Sequence, residues 1–167
     1  MIPMDLIEFE ESQVKEVYAR FGLAMYQVQC VERQLAIVLV TEYGPGIKKM
    51  TRTEYDQLLE KLFKKTLGSL LTELFKCGRI SPNFESDLRN ALARRNWLAH
   101  HYFWERAPQF MTIKGRQMMI DELTEIAEEL NSLDQQFTEV AQEWMKKVGM
   151  PESVLHEEMK KLLEGVE

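Results

Sequence analysis

Apolar residues recur along this chain with the period of an α-helix almost everywhere, and nowhere do they alternate as a half-buried strand requires. That pattern confines the chain to an all-α fold. Val14, Val17, Phe21, Met25, Val28, Leu35 and Leu39 return at intervals of three, four or seven and form one stripe, predicting a long first helix over residues 11–43. Gly44-Pro45-Gly46 ends it, because glycine tolerates the post-helical conformation and proline cannot continue the helix.

Thr51 with Glu54 three residues later reads as a capping box. It opens a second helix through Tyr55, Leu58, Leu59, Leu62 and Phe63. Gly68 marks a break or a close helix contact. A shorter segment then carries Leu67, Leu70, Leu71, Leu74 and Phe75 and stops at Gly78. Ser81-Pro82 is the clearest start signal, a serine N-cap followed by proline at the first helical position. Its helix should run through Phe84, Leu88, Leu92 and Arg95 to about Phe103. Pro108 and Gly115 bracket an irregular connection. A long helix follows over 118–148, with Ile120, Leu123, Ile126, Leu130, Leu133, Phe137, Val140 and Trp144 as its stripe, and Gly149 and Pro151 end it. The expectation is an antiparallel helical bundle over residues 1–150, with two long helices and about three to four shorter ones, since short connections favour antiparallel neighbours. Residues 151–167 should form a charged C-terminal helix, docked on the bundle or extended from it.

The chain has 167 residues, 45 % hydrophobic and 29 % charged, enough to bury one substantial core. Its net charge of −6 lacks the broad basic surface of a protein that grips duplex nucleic acid over a long footprint, so any nucleic-acid contact should be local. Cys30 and Cys77 form no C-x-x-C pair and lie in apolar helical patterns, as buried free thiols in a reducing compartment do. The acidic start of the chain is no secretory signal, and no apolar run approaches the roughly 20 residues needed to cross a bilayer. These features together point to a cytoplasmic protein without a membrane partner.

Chemistry concentrates in one place. Arg94-Arg95-Asn96-Trp97-Leu98-Ala99-His100-His101-Tyr102 holds two of the three histidines beside arginine and an amide. Arginine stabilises anionic phosphate without losing its charge, and histidine moves a proton near neutral pH. At about 100° per residue, Arg95 falls at the edge of the apolar face with Leu98, Ala99 and Tyr102. Asn96 and His100 stack one turn apart beside it, whereas His101 turns toward Trp97 and Trp104. The stripe thus favours Arg95 over Arg94, and the angle favours His100 over His101. A purely structural alternative exists for each group. Arg95 can be a buried ion-pair partner, with Glu32 the obvious carboxylate, because buried charge is costly unless paired. His100 can serve as a helix C-terminal cap, and Tyr102 can be a core tyrosine.

Arg95-Asn96-x-Leu98-x-His100-x-Tyr102, late in a helix between longer helices, resembles the signature of the HEPN superfamily (higher eukaryotes and prokaryotes nucleotide-binding). That signature is an arginine, usually followed by a polar residue, with a histidine four to six residues after the arginine. The trailing Tyr102 resembles the R-x4-H-x-Y variant of the HepT-type toxins. The likeness in helical order covers residues 10–148, although few positions match the motif itself. The resemblance implies a metal-independent endoribonuclease, a toxin or defence effector. Such proteins act as homodimers in which two arginine–histidine pairs meet in one cleft. It implies Arg95, His100 and Asn96 as catalytic residues, with Arg94, His101 and Arg89 nearby for RNA. It also implies Tyr102 as a position that a nucleotidyltransferase or antitoxin partner can modify, and it implies no cofactor. In such a site His100 would take the 2′-hydroxyl proton or protonate the departing 5′-oxygen. Arg95 would hold the developing phosphorane charge, and the product would be a 2′,3′-cyclic phosphate. The alternative is a non-catalytic module of the same fold that binds a nucleotide, an RNA or a protein.

Other chemistries find little footing. Arg106, Lys114 and Arg116 add local positive charge beside the motif, and Trp97, Phe103 and Trp104 can stack unpaired bases or pack in a core or dimer interface. The histidines and cysteines have no metal-ligand spacing, and His156-Glu157 lies in the charged tail. Glu125, Glu128 and Glu129 line a helix without an E-x-x-H pair, and neither classical nucleotide-binding loop is present.

Overall fold

The structure, a computed structural model, describes residues 4–42, 51–76, 81–148 and the isolated positions 160 and 164. Seven helices account for nearly all of them and no strand occurs among the described residues: α1 (Met4–Glu42), α2 (Arg52–Phe63), α3 (Leu67–Lys76), α4 (Pro82–His100), α5 (Tyr102–Glu105), α6 (Ala107–Phe110) and α7 (Ile113–Val148). The all-α expectation holds, with two long helices and shorter ones between them. The stop signals at Gly44, Gly78 and Gly149 and the thiol of Cys77 lie outside the described residues. So does the C-terminal helix, apart from helical positions Lys160 and Glu164.

Local sequence explains the best-defined starts. Thr51 caps α2: the Glu54 N–H donates to Thr51 Oγ1 at 3.3 Å, and the Thr51 N–H donates to Glu54 Oε2 at 2.7 Å. Both halves of the capping box are therefore made. Ser81 caps α4 in the same way, accepting from the Phe84 N–H at 3.3 Å, with Pro82 in the first turn. Gly68 does not break a helix. It sits in the first turn of α3 and faces Leu92 of α4.

The core forms where α1, α4 and α7 meet. Val17, Ala24, Val28, Val31 and Leu35 of α1 pack with Leu88 and Leu98 of α4 and with Met119, Leu123, Ile126, Leu133 and Phe137 of α7. Contacts fix the directions. Gln13 and Arg116 meet at one end, Phe84 stacks edge-on against Phe137 at the other, and Arg95 reaches Glu32 while Arg94 reaches Glu129 between them. Helix α4 thus runs antiparallel to both long helices, and α1 and α7 run parallel to each other.

Three boundaries differ from the sequence reading. Helix α1 starts at Met4 rather than near residue 11, and α7 starts at Ile113 rather than 118. Helix α4 ends at His100 because His101 leaves helical geometry (φ −130°, ψ −24°). The connection between α4 and α7 is two short helices, not an irregular loop. Gly115 makes their corner feasible: a Cβ there would overlap the backbone of Gln109. Buried Arg116 ties the corner down, donating to the Phe110 carbonyl at 3.0 Å and to Gln13 Oε1 at 3.3 Å.

Candidate functional site

Helix α4 distributes its side chains over three surfaces. Leu88, Ala91 and Leu98 are buried. On a regular helix they lie within about 60° of Arg95, so Arg95 belongs to the apolar face, and its intermediate burial puts it at the edge of that face. Its side chain is 29 % exposed, because the guanidinium extends to Glu32 of α1, itself 28 % exposed. Arg95 Nε stands 3.4 Å from Glu32 Oε1, and Nη1 donates to Asn96 Oδ1 at 3.2 Å. Glu32 Oε1 is buried and accepts no hydrogen bond among the described residues. The pair is therefore a charge contact and not a bidentate fork. The carboxylate anticipated for Arg95 is the one found beside it.

Asn96 and His100 lie on the solvent side of α4, about 100° and 140° around from Arg95. Both are exposed. His101 is exposed too, and its ring centroid is 6.2 Å from that of His100. Ala99, expected on the apolar face, is exposed.

The remaining candidates sit apart from this edge. Arg94 turns toward α7 and stands 3.5 Å from Glu129 Oε2. It lines a groove of about 730 Å³ between α4 and α7, whose walls include Asp87, Trp97, Ser132 and Gln136. Arg89 is held by Glu85 one turn back, with Nε donating at 3.0 Å, and its guanidinium stacks 4.4 Å from the Phe75 ring centroid. Six residues place it about 9 Å down the helix axis from Arg95. The structure thus brings Arg95, Asn96, His100 and His101 to one end of α4 and leaves Arg89 and Arg94 in other pairings.

Tyr102 is fully buried. Its hydroxyl donates to the Met119 carbonyl at 3.3 Å, and its ring packs against Phe21, Trp97 and Phe103. Burial, reinforced by the nearby Glu122 carboxylate, pushes the phenol well above its ordinary range near 10. In this conformation the hydroxyl is closed to a modifying enzyme.

Sequence reasoning missed the network that braces this region. Arg106 forms a two-pronged bond with Glu122 of α7, Nε to Oε2 at 2.9 Å and Nη2 to Oε1 at 2.7 Å. Its guanidinium lies 4.9 Å from the Trp97 ring centroid, and Trp97 Nε1 donates to Glu105 Oε2 at 2.8 Å. The sequence presented Arg106 as loose positive charge; it is committed to a pair. Arg116, counted the same way, is buried. Among the described residues no group of histidine, cysteine or carboxylate side chains could hold a metal ion, and no helix is long and apolar enough to cross a membrane. Comparison with protein-family models, with curated proteins and with solved structures yields no match.

Proposed function

We propose that the chain is a HEPN-like endoribonuclease that cleaves RNA without a metal, using Arg95, Asn96 and His100 at the end of α4. The observation that carries this reading is the exposed polar edge there: Asn96 and His100 stand one turn apart, and Asn96 accepts a hydrogen bond from the Arg95 guanidinium. The three residue types suit attack by a ribose 2′-hydroxyl. His100 removes the hydroxyl proton as the 2′-oxygen bonds to phosphorus. Arg95 stabilises the negative charge that builds on the phosphoryl oxygens. The bond to the 5′-oxygen then breaks, that oxygen leaves with a proton, and a 2′,3′-cyclic phosphate remains. Arg95 and His100 diverge by about 140° on one helix. A second copy placing its own pair opposite would complete the base, the acid and the charge clamp, which is why the proposal includes a homodimer.

Purified protein should cleave single-stranded RNA in excess EDTA, and Arg95→Ala and His100→Ala should each lower the rate by about 10²-fold or more. Unchanged cleavage in both variants, or activity that requires an added metal, contradicts the mechanism. A toxin or defence role, with an antitoxin as partner, belongs to the same proposal.

The contact of Arg95 with Glu32 favours a second reading, a non-catalytic helical module of this fold. There Arg95 is a structural ion-pair partner, and the exposed edge binds a nucleotide, an RNA or a protein without cutting. Arg95→Ala would then lower stability, while the wild-type protein leaves RNA intact.

A further inference from the structure

Aromatic side chains cluster around the α4–α5 turn, and all but one are accounted for by packing. Phe103 sits against Phe21, with ring centroids 4.9 Å apart, and against Tyr18 at 5.7 Å. Trp97 is stacked with Arg106 and bonded to Glu105. Trp104 is 85 % exposed. No ring contact or hydrogen bond engages its indole among the described residues. An indole left this bare in water forgoes the burial that usually stabilises it.

Its surroundings narrow what it can meet. The Glu105 N–H donates to the His101 carbonyl at 2.9 Å, so helical register continues from His101 into α5. Trp104 therefore follows His101 by three residues, one turn along the surface, and the His101 ring centroid lies 6.2 Å from that of His100. On its other side come Ala107 and Pro108, both exposed and too small to cover the ring. The indole thus projects from a polar, histidine-bearing patch with its faces open. One indole supplies a fraction of the roughly 800 Å² per partner that the proposed homodimer must bury, so Trp104 alone does not make that interface. A flat ring with open faces beside two histidines matches the demand of a nucleobase, which offers a π-face for stacking and polar edges for water.

We infer that Trp104 is a stacking platform for an unpaired base of single-stranded RNA, seated next to the phosphodiester presented to His100. This rests on the RNA reading above and adds the residue by which single strands, loops and bulges would be told from duplex, whose bases are already stacked. Trp104 is a specificity residue that touches substrate away from the reacting atoms.

The test is binding of a labelled oligoribonucleotide carrying 2′-O-methyl groups throughout, which cannot be cut, followed by anisotropy alongside its duplex form. Trp104→Ala should weaken single-strand binding about tenfold, Trp104→Phe should retain most of it, and weak duplex binding should not change. On cleavable RNA, Trp104→Ala should raise KM and leave kcat within about twofold. Equal affinity of wild type and Trp104→Ala, no affinity of wild type for the strand, or a change in oligomeric state caused by Trp104→Ala would each overturn the inference. The last result would assign the indole to a protein contact. Trp104-dependent binding without any cleavage would uphold the platform while removing the catalytic reading. Cleavage with KM unchanged in Trp104→Ala would do the reverse.

Discussion

Two side chains near the end of α4 show how environment assigns different work to neighbouring residues. Tyr102 is enclosed by Phe21, Trp97 and Phe103, and its raised pKa means the neutral phenol is favoured in the fold. An acid whose folded pKa lies above its unfolded value contributes stability below the unfolded pKa and loses it as pH climbs. Stability should therefore fall as pH rises past about 10, the unfolded tyrosine value. Tyr102→Phe should flatten much of that alkaline fall in urea melts at pH 8 and pH 10.5, while costing about 1 kcal/mol at pH 8 for the lost hydrogen bond. An alkaline fall identical in the variant would remove Tyr102 as its source. Arg95 is instead divided between Glu32 and Asn96. If it engages phosphate, Glu32 competes with the substrate. Glu32→Gln should then tighten single-stranded RNA binding by up to about fivefold, the equivalent of about 0.2–1 kcal/mol for a partly exposed pair. No change in affinity would mean the guanidinium does not meet RNA.

Helix boundaries separate what short-range sequence specifies from what tertiary contact decides. Thr51-x-x-Glu54 and Ser81-Pro82 place two helix starts correctly because a cap is satisfied within four residues. Ser81→Ala should lower stability by about 1 kcal/mol in thermal or urea denaturation. A loss within error would mean that packing alone holds the start of α4. Helices α5 and α6 escape notice because four residues carry no period, and Pro108 and Gly115 look like loop residues. Gly115 is required by the backbone of Gln109, a constraint invisible to any local rule. Gly115→Ala should cost roughly 1–3 kcal/mol or more by overpacking. It should also disturb the buried Arg116 bonds, which amide exchange at the start of α7 would report. A variant as stable as wild type would show that the corner relaxes freely.

Across the whole molecule, the apolar stripes of α1 and α7 were legible as stripes, and with them the fold class. The parallel course of those two helices was not, because it follows from α4 lying antiparallel to both. The same holds for the site. Its residue types and the Glu32 pairing could be read from the chain, since they depend on one helix face and one charge needing a partner. The bond between Arg106 and Glu122 could not, because they lie sixteen positions apart with the α6 corner between them. The arrangement leaves one polar edge of α4 open beside an uncovered indole, and the proposed cleavage requires Arg95 and His100 to act together there. A double-mutant cycle on kcat/KM for RNA cleavage in EDTA tests this most directly. Groups serving one transition state are strongly non-additive, so the Arg95→Ala, His100→Ala double variant should be about as slow as the slower single variant. Independent effects that multiply, or cleavage that survives both substitutions, would contradict it.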